Sequence, residues 1–198
     1  MTDQPAIPSA RRVELTEAAY RYALDHGLAD LSLRPLAAAI GSSPRVLMFL
    51  FGNKEGLVRA LLARARVDEL AMLDGIAGGG QAGPADLAAA TAHVWAWLRA
   101  PQHRPLLRLW AEAYARSLIE PDGAWAGFAA TTVQDWLGIL ASCQPPQERG
   151  TADGVARRTL ALAVLRGCLL DLLATADERR LDAALHHHLG ARATRGGV

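Results

Sequence analysis

The sequence predicts an all-α protein of about nine helices, with an N-terminal helix-turn-helix domain of three helices and a C-terminal helical domain. Three observations support this fold class. Glycine and proline residues divide the chain into segments whose apolar residues recur every three or four positions. No useful length of sequence alternates apolar and polar residues as a half-buried strand does. Residues 32–57 have the pattern of two short helices joined by a Gly-Ser-Ser turn, which is the helix-turn-helix plan.

The first two helices are bounded by small residues. A first helix is expected over about 9–26, with Gly27 ending it. Ser32 is a good N-cap for the second helix, because a serine hydroxyl can accept a backbone hydrogen bond there. Gly41 supplies the permissive backbone that ends this helix.

The third and fourth helices begin with equally clear signals. Ser43 is expected to cap the third helix, with Pro44 at its first position, where a missing N–H is harmless. Asn53 is expected to cap the fourth helix, which runs over about 54–75. Five further helices are predicted near 84–100, 103–119, 122–142, 149–174 and 177–190.

The predicted domain boundary lies in a glycine-rich stretch at 78–84. Residues 9–53 would form the helix-turn-helix domain, 54–75 a linking helix, and 84–190 a domain for ligand binding and dimerisation. Residues 1–8 are expected to be a disordered arm.

Positive charge is concentrated in one segment of the chain, although the net charge is small. The net charge is only +1, yet the segment from Arg34 to Arg66 holds six basic residues and one acid, Glu55. A local excess of basic residues on a helix-turn-helix is what phosphate binding requires. For the basic residues from Arg59 onwards, an ordinary solvated helix face explains the charge equally well.

Several functional classes find no support in the sequence. The chain has no HExxH, CxxC, Walker or Gly-x-Ser-x-Gly motif, so an enzyme, a metal and a cofactor are not expected. The three consecutive histidines at 186–188 fit a solvated helix end better than a metal site. The start of the chain lacks a signal peptide, and Cys143 and Cys168 fit free thiols, so a cytoplasmic protein is expected.

Residues from about 12 to 62 resemble the tetracycline-repressor (TetR) family of bacterial transcription regulators. The resemblance rests on the joint spacing of small, apolar and capping residues, namely Ala18-Ala19, Gly27, Ser32-Leu33-Arg34, Leu36-Ala37, Gly41, Ser43, Leu47, Phe51, Asn53-Lys54-Glu55 and Leu57. It implies a homodimeric, ligand-responsive repressor that binds a palindromic operator in double-stranded DNA. The effector would be an apolar or amphipathic small molecule.

The resemblance also implies which residues contact DNA. Phosphate contacts would come from Ser32, Arg34 and Lys54. The end of the recognition helix that faces the bases would carry Ser43, Pro44, Arg45 and Val46, followed by Phe49.

The recognition helix departs from the family pattern in being unusually apolar. Arg45 and Val46 replace the common Gly and Thr or Ser, and Met48 and Phe49 stand where members often have Tyr with His or Trp. Arg45 could bind guanine, and the apolar side chains could contact thymine methyl groups or pack in the core. Packing is the favoured interpretation for Met48. The alternative function is a helical dimeric scaffold or small-molecule-binding protein that kept the fold but lost specific DNA binding.

Two further sites are predicted in the C-terminal part. A ligand pocket would use an aromatic stripe with a few polar groups, made of His103, Leu107, Trp110, Tyr114, Phe128, Thr131 and Asp171. Asp171 could instead pair with Arg166 or Arg108, or face water. The last two helices would form a hairpin that dimerises through Leu160, Val164, Leu181, Leu185 and Leu189, unless the hairpin is buried within the monomer.

Overall fold

A computed structural model describes residues 9–78 and 86–193 and confirms the all-α fold. Within these residues the chain forms nine α-helices and two single 3₁₀ turns, at Pro101–His103 and Gly123–Trp125. The helices are α1 (Ala10–His26), α2 (Leu33–Ala39), α3 (Pro44–Phe51), α4 (Lys54–Gly78), α5 (Leu87–Leu98), α6 (Arg104–Ile119), α7 (Phe128–Ser142), α8 (Ala152–Thr175) and α9 (Glu178–Ala193).

The chain packs as two compact units. The first comprises residues up to Asp68 together with Arg108–Ala129, and the second comprises Glu69–Leu107 together with the residues from Ala130 onwards. The boundary therefore passes through α4, α6 and the first turn of α7. The predicted N-terminal arm and most of the predicted glycine-rich linker lie outside the described residues, and the functional domain division stays a prediction.

The helix-turn-helix is held in the first unit by a core that every one of its helices shares. Leu15, Leu36, Leu47 and Leu57 are buried, one from each of α1 to α4. The α6 segment adds Leu109 to the same core. Burying an aliphatic side chain of this size stabilises a fold by about 1.5–3 kcal/mol. The short helices α2 and α3 therefore depend on this shared core for their stability.

The two serines predicted as caps behave differently. The Ser43 hydroxyl accepts a hydrogen bond from the Val46 N–H at 3.3 Å and so caps α3. Ser32 occupies the N-cap position of α2, but its side chain makes no capping hydrogen bond, so the prediction was wrong for this hydroxyl. Between the two helices Gly41 has φ +63°, the left-handed conformation that glycine adopts without strain.

The corner between α3 and α4 is tight enough to exclude a side chain. The Asn53 side chain accepts a hydrogen bond from the Gly56 N–H at 2.7 Å, which confirms it as the cap of α4. A Cβ added to Gly56 would lie 2.0 Å from the backbone oxygen of Phe51. Glycine is therefore required here for a close approach of two backbone segments.

Helix starts in the C-terminal half differ from the expected positions. Asp86 caps α5, Thr151 caps α8 and Asp177 caps α9, each through a hydrogen bond from a backbone N–H to its side chain. Asp122 makes no capping hydrogen bond, and after it the chain forms a 3₁₀ turn before α7 begins at Phe128. A proline-aspartate-glycine sequence favours a turn as much as a helix start, which explains the late beginning.

In the second unit α8 packs against both α5 and α9. The Trp95 indole N–H donates to the Asp182 carboxylate at 2.6 Å, and the Arg104 guanidinium pairs with Glu178 at 3.3 Å. Cys168 is buried in this unit, where burial and the neighbouring Asp171 carboxylate raise the pKa of its thiol despite Arg180 nearby. Cys143 and Cys168 are both free thiols, as predicted.

Candidate nucleic-acid interface

The outer face of α3 is the most exposed apolar surface of the helix-turn-helix. Helical geometry places successive residues about 100° apart around the axis. Leu47 and Phe51 are buried and define the inner face of α3. Phe49 lies opposite them and is 86% exposed, while Arg45 beside it is exposed as well.

Two apolar neighbours complete this outer face. Val46 is 37% exposed and Met48 is 45% exposed. Core packing, the favoured interpretation of Met48, was therefore wrong, because the inner face of an eight-residue helix is already filled by Leu47 and Phe51. We call Arg45, Val46, Met48 and Phe49 the reading face. Ser43 and Pro44, both partly exposed, precede it at the start of α3.

The three residues predicted to contact phosphate line one groove beside the start of α4. This open groove has a volume of about 550 Å³ and is formed by residues 29–34 together with Lys54. Ser32, Arg34 and Lys54 are all exposed in it, and Asp30 contributes the opposing charge. We call it the Lys54 groove. Its free Ser32 hydroxyl is available as a hydrogen-bond donor, because capping does not use it.

Three cations of the interface have no carboxylate partner in the part of the chain that the structure describes. Within residues 9–78 and 86–193, Arg34, Arg45 and Lys54 form no ion pair with a carboxylate. An unpaired cation can approach a phosphate or a base edge without first losing an internal partner. The local charge excess predicted from the sequence is therefore available to an external anion at these three positions.

Further along α4 the arginines are already engaged. The Arg64 guanidinium binds the carboxylates of Glu17 and Asp68 and lies over the Tyr20 ring, with 4.8 Å from its central carbon to the ring centroid. Asp68 also accepts a hydrogen bond from the Tyr20 hydroxyl at 2.9 Å. We call these four residues the Arg64 network.

Electrostatics within the Arg64 network follow from its burial and pairing. Burial opposes the charge of Arg64, yet its hydrogen bonds to Asp68 and Glu17 raise the pKa of the guanidinium. Burial, followed by the hydrogen bond to Asp68, raises the pKa of Tyr20 far above its ordinary value of 10.0. The sequence analysis missed this network. The spacing of Arg64 and Asp68 at i and i+4 was the one available signal.

The turn after α1 is attached to α6. The Glu112 carboxylate accepts a hydrogen bond from the Leu28 backbone N–H at 2.9 Å. A Cβ at Gly27 would lie 3.0 Å from the same carboxylate oxygen, and Gly27 also has φ +77°. This interaction fixes the segment that leads into the Lys54 groove, and sequence reasoning had no signal for it.

The predicted ligand residues lie in both compact units. Trp110 and Tyr114 form a tilted pair in the first unit, with ring centroids 5.0 Å apart, and the partly buried Phe128 lies in the same unit. In the second unit, His103 stacks on Trp97 at 3.8 Å between centroids and Leu107 is buried. Thr131 is half-buried there. The Trp110 indole N–H is buried and makes no hydrogen bond with the described residues.

Asp171 is exposed and pairs with Arg180 at 3.0 Å. The partner that the structure gives for Asp171 is therefore an arginine of α9 that the sequence analysis did not consider. On the helical surface of α8 its carboxylate faces water, and an arginine from α9 reaches it there.

The residues predicted to form the dimer interface differ in how much of their surface is exposed. Leu181 and Leu185 are only 3% and 2% exposed, because α9 packs them within the same chain. Their surface is therefore not available to a partner. Leu160 is 47% exposed, and Val164 and Leu189 are half-buried.

The first three helices and their exposed basic residues form a helix-turn-helix, a motif typical of DNA-binding regulators. Residues 15–61 match the family model described as "Bacterial regulatory proteins, tetR family". The resemblance to the TetR family is thus confirmed, and residues 15–61 carry its N-terminal domain. No curated protein matches the sequence of the chain.

Solved structures share the fold over nearly the whole chain. A transcriptional regulator from Rhodococcus sp. RHA1 aligns with a TM-score of 0.68 at 23% identity, covering 91% of this chain and 94% of its own. A TetR-like transcriptional regulator from the same organism has a TM-score of 0.59 at 20% identity, with coverages of 96% and 99%. The multidrug binding protein EbrR, complexed with proflavin, has a TM-score of 0.58 at 24% identity, with coverages of 89% and 98%. The chain therefore has the fold of TetR-family regulators.

None of the helices in the described part of the chain has both the length and the hydrophobicity needed to cross a membrane.

Proposed function

We propose that this protein is a cytoplasmic, DNA-binding transcriptional regulator that acts as a ligand-responsive repressor on a palindromic operator. One observation carries the proposal. The helix-turn-helix presents an outward reading face on α3, and beside the start of α4 one groove holds Ser32, Arg34 and Lys54, whose two cations form no ion pair with any described residue. A protein that kept the fold but lost DNA binding has no need of unpaired cations at these positions.

The first experiment asks whether DNA sequence is read at all. The purified chain is used to select duplexes from a random pool, and a selected duplex is compared with a random duplex at several salt concentrations. We expect a palindrome, bound more tightly than random duplex, with log affinity falling linearly with log salt as counterions are released. Equal affinity for selected and random duplexes at moderate salt would instead support the scaffold function.

A matched pair of variants tests the Lys54 groove. Lys54→Ala removes an unpaired cation, whereas Arg59→Ala removes an exposed cation one turn away that already pairs with Glu55 at 3.7 Å. We expect Lys54→Ala to weaken binding to every duplex alike and to flatten the salt dependence by about 0.9 for each phosphate that is no longer neutralised. The slope of Arg59→Ala should stay near that of the unmodified chain.

The dimer proposal rests on the exposed apolar surface of α8. Val155, Leu160 and Leu170 of α8 are apolar residues that are each between 42% and 50% exposed. Two such surfaces related by a two-fold axis would bury each other. We expect light scattering to give the mass of a dimer, and Leu160→Glu to give a monomer. Val13→Glu, a matched change at an exposed valine of α1, should leave the mass unchanged.

The effector proposal rests on Trp110. Its buried indole N–H has no acceptor among the described residues, and a bound small molecule could supply one. EbrR, which shares the fold, has been solved with proflavin, so proflavin is a suitable first probe. We expect proflavin to quench tryptophan fluorescence and to lower affinity for the selected duplex. Trp110→Phe, which keeps a ring but removes the N–H, should weaken both effects.

A further inference from the structure

We propose that the reading face recognises thymine by its C5-methyl group, through Phe49 with Val46 and Met48, next to a guanine bound by Arg45. This inference rests on the proposed DNA-binding function and deepens it by naming the base features that are read. Its starting observation is that Phe49, a large apolar ring, is 86% exposed at the outermost position of α3.

The first step excludes a structural role for Phe49. Leu47 and Phe51 fill the inner face of α3, and Phe49 lies on the opposite side of the helix from both. A ring that remains in water gains none of the free energy of burial that apolar groups provide within a fold. The side chain therefore contributes little to the packing of its own domain, and its apolar surface is available to a partner.

The second step identifies the partner surface. Unpaired cations on the same helix and in the Lys54 groove favour a polyanion, and duplex DNA is the polyanion that a helix of this width can enter. On the floor of the major groove, the thymine methyl is the apolar feature that a hydrophobic side chain can contact. Charge selects the duplex, and the apolar ring then selects thymine within it.

The third step concerns the donors that α3 lacks. Of the four residues of the reading face, only Arg45 carries a hydrogen-bonding side chain. Its guanidinium can bind guanine O6 and N7 in a bidentate manner. The other three side chains can distinguish bases only by shape and by apolar contact. Sequence readout on this face is therefore expected to combine one guanine with methyl contacts.

Helix geometry places the two signals close together on the DNA. Arg45 and Phe49 are four residues apart, which is about 6 Å along the helix axis. Successive base pairs are separated by about 3.4 Å, so a helix lying along the groove spans about two base-pair steps between these residues. The selected half-site should contain a guanine and a thymine within that spacing.

The test removes the methyl group without changing base pairing. Each thymine of the selected operator is replaced in turn by deoxyuridine, which lacks the C5-methyl, and affinities are measured by fluorescence anisotropy. We expect about four-fold weaker binding for one contacted methyl, from the free energy of burying a single carbon group. Replacing the equivalent thymine in both half-sites should weaken binding by about 15-fold, because the two effects multiply.

A variant then assigns the effect to the reading face. At the thymine that Phe49 contacts, Phe49→Ala should bind the thymine and deoxyuridine operators nearly equally, because the side chain that senses that methyl is gone. Val67→Ala, which shortens an exposed valine of α4, should keep the full sensitivity. Circular dichroism checks that the Phe49→Ala variant is folded, which its 86% exposure leads us to expect.

The outcomes separate the inference from the function on which it rests. If no duplex is selected over random DNA, the proposed function itself fails. If an operator is selected but its half-sites lack thymine, or tolerate deoxyuridine at every position, DNA binding stands and methyl recognition is wrong. Sensitivity that persists in Phe49→Ala, Val46→Ala and Met48→Ala would show that the methyl acts through DNA shape, which also overturns the inference.

Discussion

The α2–α3 face and the body of α4 both carry positive charge, but they differ in whether described carboxylates pair with that charge. Arg34 and Arg45 make no ion pair among the described residues, whereas Arg64 is bound by two carboxylates and lies over an aromatic ring. The sequence counts all of them equally in its local excess of positive charge. What distinguishes them is the position of the acids, since Glu17 and Asp68 face Arg64 and no described acid pairs with Arg45. A basic segment can therefore offer charge to an external anion at the positions where its cations have no internal partner.

Breaking the Arg64 network should have the largest effect on stability and almost none on DNA recognition. We expect Arg64→Ala to lower the free energy of unfolding by about 1–2 kcal/mol, because it leaves two carboxylates, each more than a third exposed and so partly screened by water, without their cation. Urea unfolding measures this change. Arg59→Ala, which breaks an exposed pair with Glu55, should change the free energy of unfolding by less than about 0.5 kcal/mol. Equal destabilisation of the two variants would contradict the distinction between buried and exposed cation pairs.

Arg45→Ala on the reading face should have the opposite result, affecting DNA recognition and not stability. It should leave the unfolding midpoint unchanged and reduce discrimination among duplexes by about 1–3 kcal/mol, the free energy of a good bidentate contact with guanine. Competition between the selected operator and single-base variants measures the change. A uniform reduction in affinity for every duplex would show that Arg45 contacts only phosphate.

The two serines at helix starts allow the same comparison for hydroxyl groups, since one caps a helix and the other makes no capping hydrogen bond. Ser43 caps α3, so Ser43→Ala should lower the free energy of unfolding by about 1 kcal/mol. Ser32 makes no capping hydrogen bond, so Ser32→Ala should change it by less than about 0.5 kcal/mol and should weaken DNA binding. Thermal unfolding and anisotropy titrations on both variants give the two quantities. A larger destabilisation at Ser32 than at Ser43 would contradict the assignment.

An effect on stability no larger than that of Ser43→Ala is expected within the Arg64 network, and it depends on alkaline pH. The pKa of Tyr20 is raised in the folded state, so the stabilisation from its protonated hydroxyl is complete below about pH 10, its ordinary pKa. That stabilisation declines progressively as the pH rises above this value. We expect Tyr20→Phe to be less stable than the unmodified chain by about 1 kcal/mol at pH 7. The difference should shrink above about pH 10 in urea unfolding series, and a constant difference up to about pH 11 would show that Tyr20 does not titrate as argued.

Local signals in the sequence predicted most of the fold. Gly27 and Gly41 were predicted to end helices and Asn53 to cap the start of one. The structure confirms all three, because such ends depend on residues that are neighbours in sequence. Ser32 shows the limit of such signals, since a serine at a helix start can fill the cap position without its hydroxyl making the bond. The start of α7 was missed for a similar reason, because a turn and a cap share the same residues.

Long-range contacts were beyond the reach of the sequence. Arg64 meets Glu17 across 47 positions, and Glu112 meets Leu28 across 84, so no local spacing connects them. Exposure was equally hidden: the apolar pattern of α3 fits a buried helix, and only the packing of Leu47 and Phe51 shows that Met48 and Phe49 face outward. For the same reason, the aromatic stripe predicted as a ligand pocket could not be divided between the two compact units in advance.

The close contact at Gly56 limits which residues position 56 can accept. A Cβ at this position would collide with the backbone carbonyl of Phe51, the last residue of the third helix, so a larger residue could enter only if the corner opened. Since only Gly52 and Asn53 separate those helices, a side chain at position 56 would change the angle at which the fourth helix leaves the third. A library of substitutions at position 56 should therefore return glycine alone among folded, DNA-binding clones.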